Sequence, residues 1–264
     1  MRIWAVANQK GGVGKTTTTV TLGGFLAQAG KRVLLVDLDP HGSLTGYFGM
    51  DPETLDASVY HLFRQAASKQ AVQTRQAIQH TAFDDLDVLP ACTALATLEK
   101  HYGSKPGMGL VLKQLLADME DSYDNVIIDC PPMLGLLMIN ALAACRRVII
   151  PVQTEHLAIK GMQRMLRTMQ MIQKSLNADI AYTILPTLYD QRTIACRQSL
   201  QTLQQDYHSK MTRVVIPVDT RLRDASHQGV PVNYLPGDSQ GRQAYQRFVS
   251  LLCGRNPQPA SEVA

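Results

Sequence analysis

The segment Lys10-Gly11-Gly12-Val13-Gly14-Lys15-Thr16-Thr17 lies between a short apolar run, Ile3-Trp4-Ala5-Val6-Ala7, and a stretch of helical character, Lys15–Ala29, closed by Gly30. Strand, glycine turn and helix in that order make a phosphate cradle. Glycines lack a Cβ, so successive backbone N–H groups can wrap phosphate oxygens, and the helix N-terminus adds a favourable dipole. Gly11, Gly12, Val13 and Gly14 supply that backbone. Lys15 brings a point charge to the outer phosphates, and the Thr16 hydroxyl, with Thr17 beside it, is placed to ligate Mg²⁺.

Outward from the turn, short Val/Ile/Leu runs alternate with helical stretches. Strands are predicted at Arg32–Asp37, Leu86–Leu89, Asn125–Asp129, Arg147–Val152, Ala181–Leu185 and Val214–Pro217. Helices are predicted at Gly109–Met119, from Ala158 to Ser175 and at Arg242–Leu252, with a helical excursion over 51–85. Apolar strands separated by helices predict an α/β fold: a doubly wound, mostly parallel sheet with helices on both faces. The expected organisation is one domain over residues 1–253 and a flexible C-terminal tail over 254–264, where Pro257 and Pro259 break any helix.

Two of these strands end in acids. Val33-Leu34-Leu35-Val36-Asp37-Leu38-Asp39-Pro40 carries carboxylates to the carboxyl edge of the sheet, beside the glycine turn. Val126-Ile127-Ile128-Asp129-Cys130-Pro131-Pro132 places Asp129 to hold Mg²⁺ through a water. Cys130 has no paired His nearby and reads as a small buried filler.

Composition narrows the class further. Over 264 residues, 26 Lys plus Arg against 22 Asp plus Glu give a net charge of +4. Such a balance permits contact with nucleic acid or acidic lipid without establishing either. A hydrophobic fraction of 45% excludes wholesale disorder. The 5 cysteines show no CxxC pair, which argues against a disulfide scaffold or zinc ribbon and for a reducing cytosol. The apolar stretch Leu134–Leu142 falls short of the roughly 20 residues of a membrane span, and no signal peptide is expected before the glycine turn.

One departure carries a resemblance. The general phosphate-loop pattern asks for glycine where this chain has Gln9, and a second lysine, Lys10, follows. This resembles the deviant Walker A loop of the ParA/MinD family of P-loop NTPases, and the likeness extends along most of the chain. The resemblance implies a homodimer around ATP and Mg²⁺, with hydrolysis that is weak and partner-stimulated. Lys10 would reach across the interface to the partner's nucleotide, joining Lys15 and Asp39 as catalytic residues. Asp39 would help position the attacking water, Asp37 would support the magnesium shell, and Thr16, Asp39 and Asp129 would form the metal set. His41 and Ser43 stand where the family often has Gln and Asn.

Later segments fit the same pattern. Pro151-Val152-Gln153-Thr154-Glu155 resembles the family's element near the dimer interface. The runs Pro186–Thr193 and Ile216–Leu222 resemble its Thr-x-x-Asp-x-Arg-Thr and Ile-Pro-x-x-x-Arg-Leu motifs. The backbone after Pro217 and the side chain of Asp219 would then flank the adenine. Arg192 and Arg221 would contact DNA phosphates without regard to sequence, with Arg223 and Arg213 adding to the field.

Among the jobs of that family, the breaks after Cys253 disfavour a MinD-like membrane helix, and the cysteine contexts disfavour an iron–sulfur carrier. No helix-turn-helix domain is expected before the loop. The residues Ala7–Lys10, Asp39–His41, Pro151–Glu155 and Asp219–Ser226 look like the ParC subgroup, which places chemotaxis arrays at the bacterial cell pole. The implied setting is the bacterial cytoplasm, at the nucleoid or a pole, with a stimulating or adaptor protein. Alternatives are chromosome or plasmid partition, and an ATP-dependent binding switch with negligible turnover. On the long helix, Met162, Met165, Leu166, Met169 and Ile172 read as core. Lys160, Arg164, Arg167 and Lys174 read as a solvated face or a nucleic-acid stripe.

Overall fold

A computed structural model describes residues 1–254. In chain order the elements are β1 (Arg2–Val6), α1 (Lys15–Gln28), β2 (Val33–Asp37), α2 (Ser43–Tyr47), α3 (Val59–Ala67), α4 (Thr74–Ala77), β3 (Gln79–His80) and β4 (Leu86–Leu89). They continue with α5 (Leu98–Tyr102), α6 (Val111–Ala117), β5 (Asn125–Asp129), α7 (Leu136–Ala144), β6 (Arg147–Gln153) and α8 (His156–Leu176). The last are β7 (Ala181–Thr187), α9 (Ile194–Tyr207), α10 (Thr220–Gln228) and α11 (Gln240–Leu252).

The strands form one 7-stranded sheet in the order β3-β4-β2-β5-β1-β6-β7. Every pairing is parallel except the short edge strand β3, which runs antiparallel to β4. The two-residue period of a strand divides the core cleanly. Ala5, Leu34, Val36, Val126, Ile128, Val148 and Ile150 face one layer, packed with α3, α6, α7 and α8. Trp4, Val6, Val33, Leu35, Ile127 and Ile149 face the other, packed with α1 and α11. The middle of each central strand is therefore apolar on both faces, which is why it reads as a continuous run rather than an alternation.

The doubly wound, mostly parallel sheet is as the sequence predicts, with differences at its margins. Val214–Pro217 is not a strand. The segment runs beside β7, donating from Thr212 N–H to Ile184 O and from Ile216 N–H to Pro186 O, but only isolated bridges form, at Ile184–Met211 and Tyr189–Pro217. Pro186, whose O accepts the Ile216 N–H, has no N–H to return to the segment, so the ladder cannot continue. The helix expected at Gly109–Met119 opens as a single 3₁₀ turn, Met108–Leu110, before α6 proper. The excursion over 51–85 contains α3 and α4 and ends in the edge strand β3. Of the tail expected at 254–264, Gly254 is exposed and residues 255–264 lie outside the described residues.

Candidate nucleotide site

The glycine turn leaves the carboxyl end of β1, in the middle of the sheet, and its neighbours fix that exit. Ala7 N–H donates to Ile149 O at 3.0 Å, and Cys130 N–H donates to Val6 O at 3.1 Å. Asn8, fully buried, donates from Nδ2 to Pro151 O at 2.7 Å and accepts the Lys10 N–H on Oδ1 at 3.0 Å. Gly12 and Gly14 then take φ values of +72° and +87°, a left-handed backbone that residues with a Cβ rarely adopt. No side chain caps α1, so the N–H groups of its first turn are left for an anion.

Parallel register brings the acids together. Asp37 and Asp129 are direct partners across β2 and β5, and both are buried. Burial, opposed by hydrogen bonds from Thr45, raises the Asp37 pKa to about 6. Burial and then the neighbouring Asp37 charge push Asp129 up to about 8. The two are not equivalent. Asp37 accepts Asp39 N–H on Oδ1 and both the N–H and the hydroxyl of Thr45 on Oδ2, so its carboxylate is turned into the β2–α2 connection. Asp129 accepts the Thr16 hydroxyl on Oδ2 at 2.6 Å, while its Oδ1 is buried without a hydrogen-bond partner. An orphaned carboxylate oxygen beside a hydroxyl, in a site where two acids repel, fits a hard divalent cation. No cage of three or more His, Cys, Asp or Glu side chains forms among the described residues. Mg²⁺ needs none, because it keeps several waters and takes one or two protein oxygens together with substrate phosphates.

Lys15 is 8% exposed and points back under the loop, its Nζ 3.5 Å from Lys10 O. Lys10 turns elsewhere. Its Nζ donates to Glu155 Oε2 at 3.0 Å and to Gln153 Oε1 at 3.1 Å, at the start of α8. Asp39 faces the same cavity as Thr16, with Oδ1 held by the His41 backbone N–H at 3.0 Å and by His41 Nδ1 at 2.8 Å.

That cavity has a volume of about 890 Å³, and neither Lys10 nor Asp129 is among its lining residues. Gly11 to Thr17 line one side, and Asp39, Pro217 and Asp219 also line it. Sequence reasoning missed Ser226, His227, Tyr47, Leu188 and Tyr245, which complete the walls. Tyr245 shares a 2.8 Å hydrogen bond with Thr18, and that pairing of α11 with α1 leaves no local pattern to find. The Asp219 carboxylate is committed to backbone: Oδ1 caps α10 through Arg221 N–H at 2.9 Å, and Oδ2 accepts Gly241 N–H at 2.7 Å, joining α10 to α11. The three arginines expected to meet nucleic acid differ. Arg192 makes a bidentate pair with Asp190 at 2.9 and 2.7 Å, Arg221 donates to Pro236 O, and Arg223 lines the nucleotide cavity.

A family model described as AAA domain matches residues 1–182. The chain is 40% identical over 245 residues to the sporulation initiation inhibitor protein Soj of Bacillus subtilis, covering 92% of this chain and 95% of that protein. It is 37% identical over 252 residues to the chromosome-partitioning ATPase Soj of Thermus thermophilus, covering 95% of each. Among solved structures, cobyrinic acid a,c-diamide synthase from Mycobacterium smegmatis with bound ADP and magnesium superposes with a TM-score of 0.80 at 37% identity, covering 96% of this chain and 94% of that one.

Proposed function

The chain belongs to the ParA/Soj-type AAA-domain family of P-loop ATPases, and on that premise we propose that it binds ATP and Mg²⁺ as a nucleotide-bridged homodimer and hydrolyses ATP to position a cargo in the cell. The observation that carries this reading is the set of Gly12 and Gly14 in left-handed backbone, buried Lys15, and Thr16 paired with a half-satisfied Asp129 at one strand edge. When bound, the metal supplies charge neutralisation at the phosphates. Thr16 and Asp129 would hold it, Lys15 and the loop amides would hold the phosphates, and Asp39, oriented by His41, would position a water. Pro217 would lie against the base.

The dimer is supported by what surrounds the cavity. Met133, Leu134, Leu157, Ile194 and Val218 are exposed apolar residues, and they follow the carboxyl ends of β5, β6 and β7 or sit beside Pro217. A fringe of this kind on the nucleotide edge suits a second copy of the chain. Lys10 sits on the same edge, and its pair with Glu155 is half exposed, so leaving it for a partner's phosphate costs little.

The chromosome-partitioning Soj relative favours a chromosomal DNA segment as cargo; a plasmid segment as cargo and non-specific duplex DNA as the track come from the resemblance to ParA-type ATPases. Arg192 and Arg221 would serve that contact after exchanging their present partners for phosphates. The exposed α8 stripe of Lys160, Arg164, Arg167 and Lys174 makes no ion pair among the described residues and can add to it. A second reading rests on the ParC-like motif residues and takes chemotaxis arrays as cargo, at a cell pole. Both readings place the protein in the cytoplasm. No helix among the described residues is long and apolar enough to cross a membrane. Capture with an Asp39→Ala variant in ATP separates them: a centromere-binding protein supports partition, and array proteins support the second reading. Absence of Mg²⁺-dependent phosphate release from the unmodified protein, with and without DNA and the captured partner, would contradict the ATPase itself.

A further inference from the structure

We propose that Arg223 and His227 bind the phosphates of the nucleotide within the same chain, from the α10 wall of the cavity. The proposal rests on the nucleotide reading above and assigns these residues a part in it. Leu222, Arg223, Ser226 and His227 follow a helical i, i+1, i+4, i+5 pattern, and all four line the cavity that Lys15, Thr16 and Asp39 also line. One face of α10 is therefore turned to the site.

The helix carrying that face is fixed at both ends. Asp219 caps its first turn and ties it to Gly241 of α11. At its other end, the Gly229 backbone lies so close to α2 that a Cβ there would come within 2.8 Å of Tyr47 O, and the Tyr47 hydroxyl donates to Val230 O at 3.0 Å. Arg223 and His227 are thus held over the cavity between α2 and α11 by contacts that neither side chain makes itself.

Charge gives the face its ligand. Arg223 and His227 have no side-chain hydrogen bond or ion pair among the described residues, whereas Arg192 and Arg221 both have partners. Among the described residues, the only acids lining the cavity are Asp39 and Asp219. Both Asp219 oxygens accept backbone N–H groups, and Asp39 Oδ1 is taken by His41. The Arg223 guanidinium, exposed at the cavity wall, pairs with neither acid and so can take an anion there. Its planar fork matches phosphate oxygens bidentately, and a histidine ring offers an N–H donor in either tautomer.

Calorimetric titration with ATP and Mg²⁺ tests the proposal on the full chain, alongside retention of duplex DNA at saturating ATP. Arg223→Ala is expected to weaken ATP binding about tenfold, the scale of one charge-assisted hydrogen bond, and His227→Ala to weaken it severalfold. Arg223→Lys should recover part of the loss, which a purely steric or folding effect would not do. DNA retention at saturating ATP should match the unmodified protein. ATP affinity within twofold of the unmodified protein in Arg223→Ala overturns the proposal, and the more so if DNA retention falls, which returns Arg223 to a DNA surface. Failure of the unmodified protein to bind ATP would instead sink the nucleotide reading, and this proposal with it.

Discussion

Around the nucleotide cavity, the turn after β1 is shaped by backbone, and the α10 wall by side chains from distant segments. The turn has Gly12 and Gly14 in left-handed conformations and an uncapped helix start, braced from outside by Asn8 and by the buried Thr187 hydroxyl, which donates to Val13 O at 2.9 Å. The α10 wall has ordinary helix residues on an ordinary helix, pinned by Asp219 to Gly241 and by Tyr47 to Val230. Phosphate recognition through amides demands particular residue types at fixed spacing, whereas a wall demands only that some residue pair hold it in place. One region is constrained chemically and the other topologically.

Lys15→Ala strikes the chemically constrained region and should have the largest effect, raising the ATP Kd at least about a hundredfold, because it removes a nearly buried cation that the proposed function sets against the phosphates. Calorimetry with ATP and Mg²⁺ reads this, and near-native affinity would break the comparison at its strongest point. Thr45→Val tests the support of the acids instead. The Thr45 hydroxyl donates to Asp37 and accepts Ala91 N–H at 2.9 Å, both buried, so its loss leaves two groups short of a partner. Stability should fall by about 1–3 kcal/mol in chemical denaturation, and a neutral result would show that water replaces the hydroxyl. Tyr245→Phe should be milder, about 1 kcal/mol, since it removes one bond to Thr18 while keeping the buried ring. A much larger loss would mean that the boundary between the two regions is itself a keystone of the fold.

The same contrast explains what the sequence revealed. The central strands announced themselves because both faces are buried and their middle positions are apolar. Asp37 and Asp129 were legible as strand-end acids, and register then made them direct partners. By contrast α9 and α10 were not foreseen. The polar faces of these helices outweigh their apolar ones, with Ser199 and Leu203 the only buried residues of α9 and Ala225 the only one of α10. Val214–Pro217 failed as a strand because the missing donor lies on Pro186 of its neighbour, which a local reading of the segment does not weigh. The commitment of Asp219 to Gly241, and of Lys10 to Gln153 and Glu155, joins segments far apart in the chain, so no spacing rule could show it.

Lys10 is where the two kinds of constraint meet, since it belongs to the phosphate turn yet points away from the cavity to α8. Sedimentation velocity of the unmodified protein and of Lys10→Ala, each with and without ATP and Mg²⁺, tests the nucleotide-bridged dimer most directly. The unmodified chain should pass from monomer to dimer only with ATP, while Lys10→Ala should bind ATP and stay monomeric. An ATP-dependent dimer of undiminished stability in Lys10→Ala, or an unmodified protein that stays monomeric with ATP bound, would contradict it.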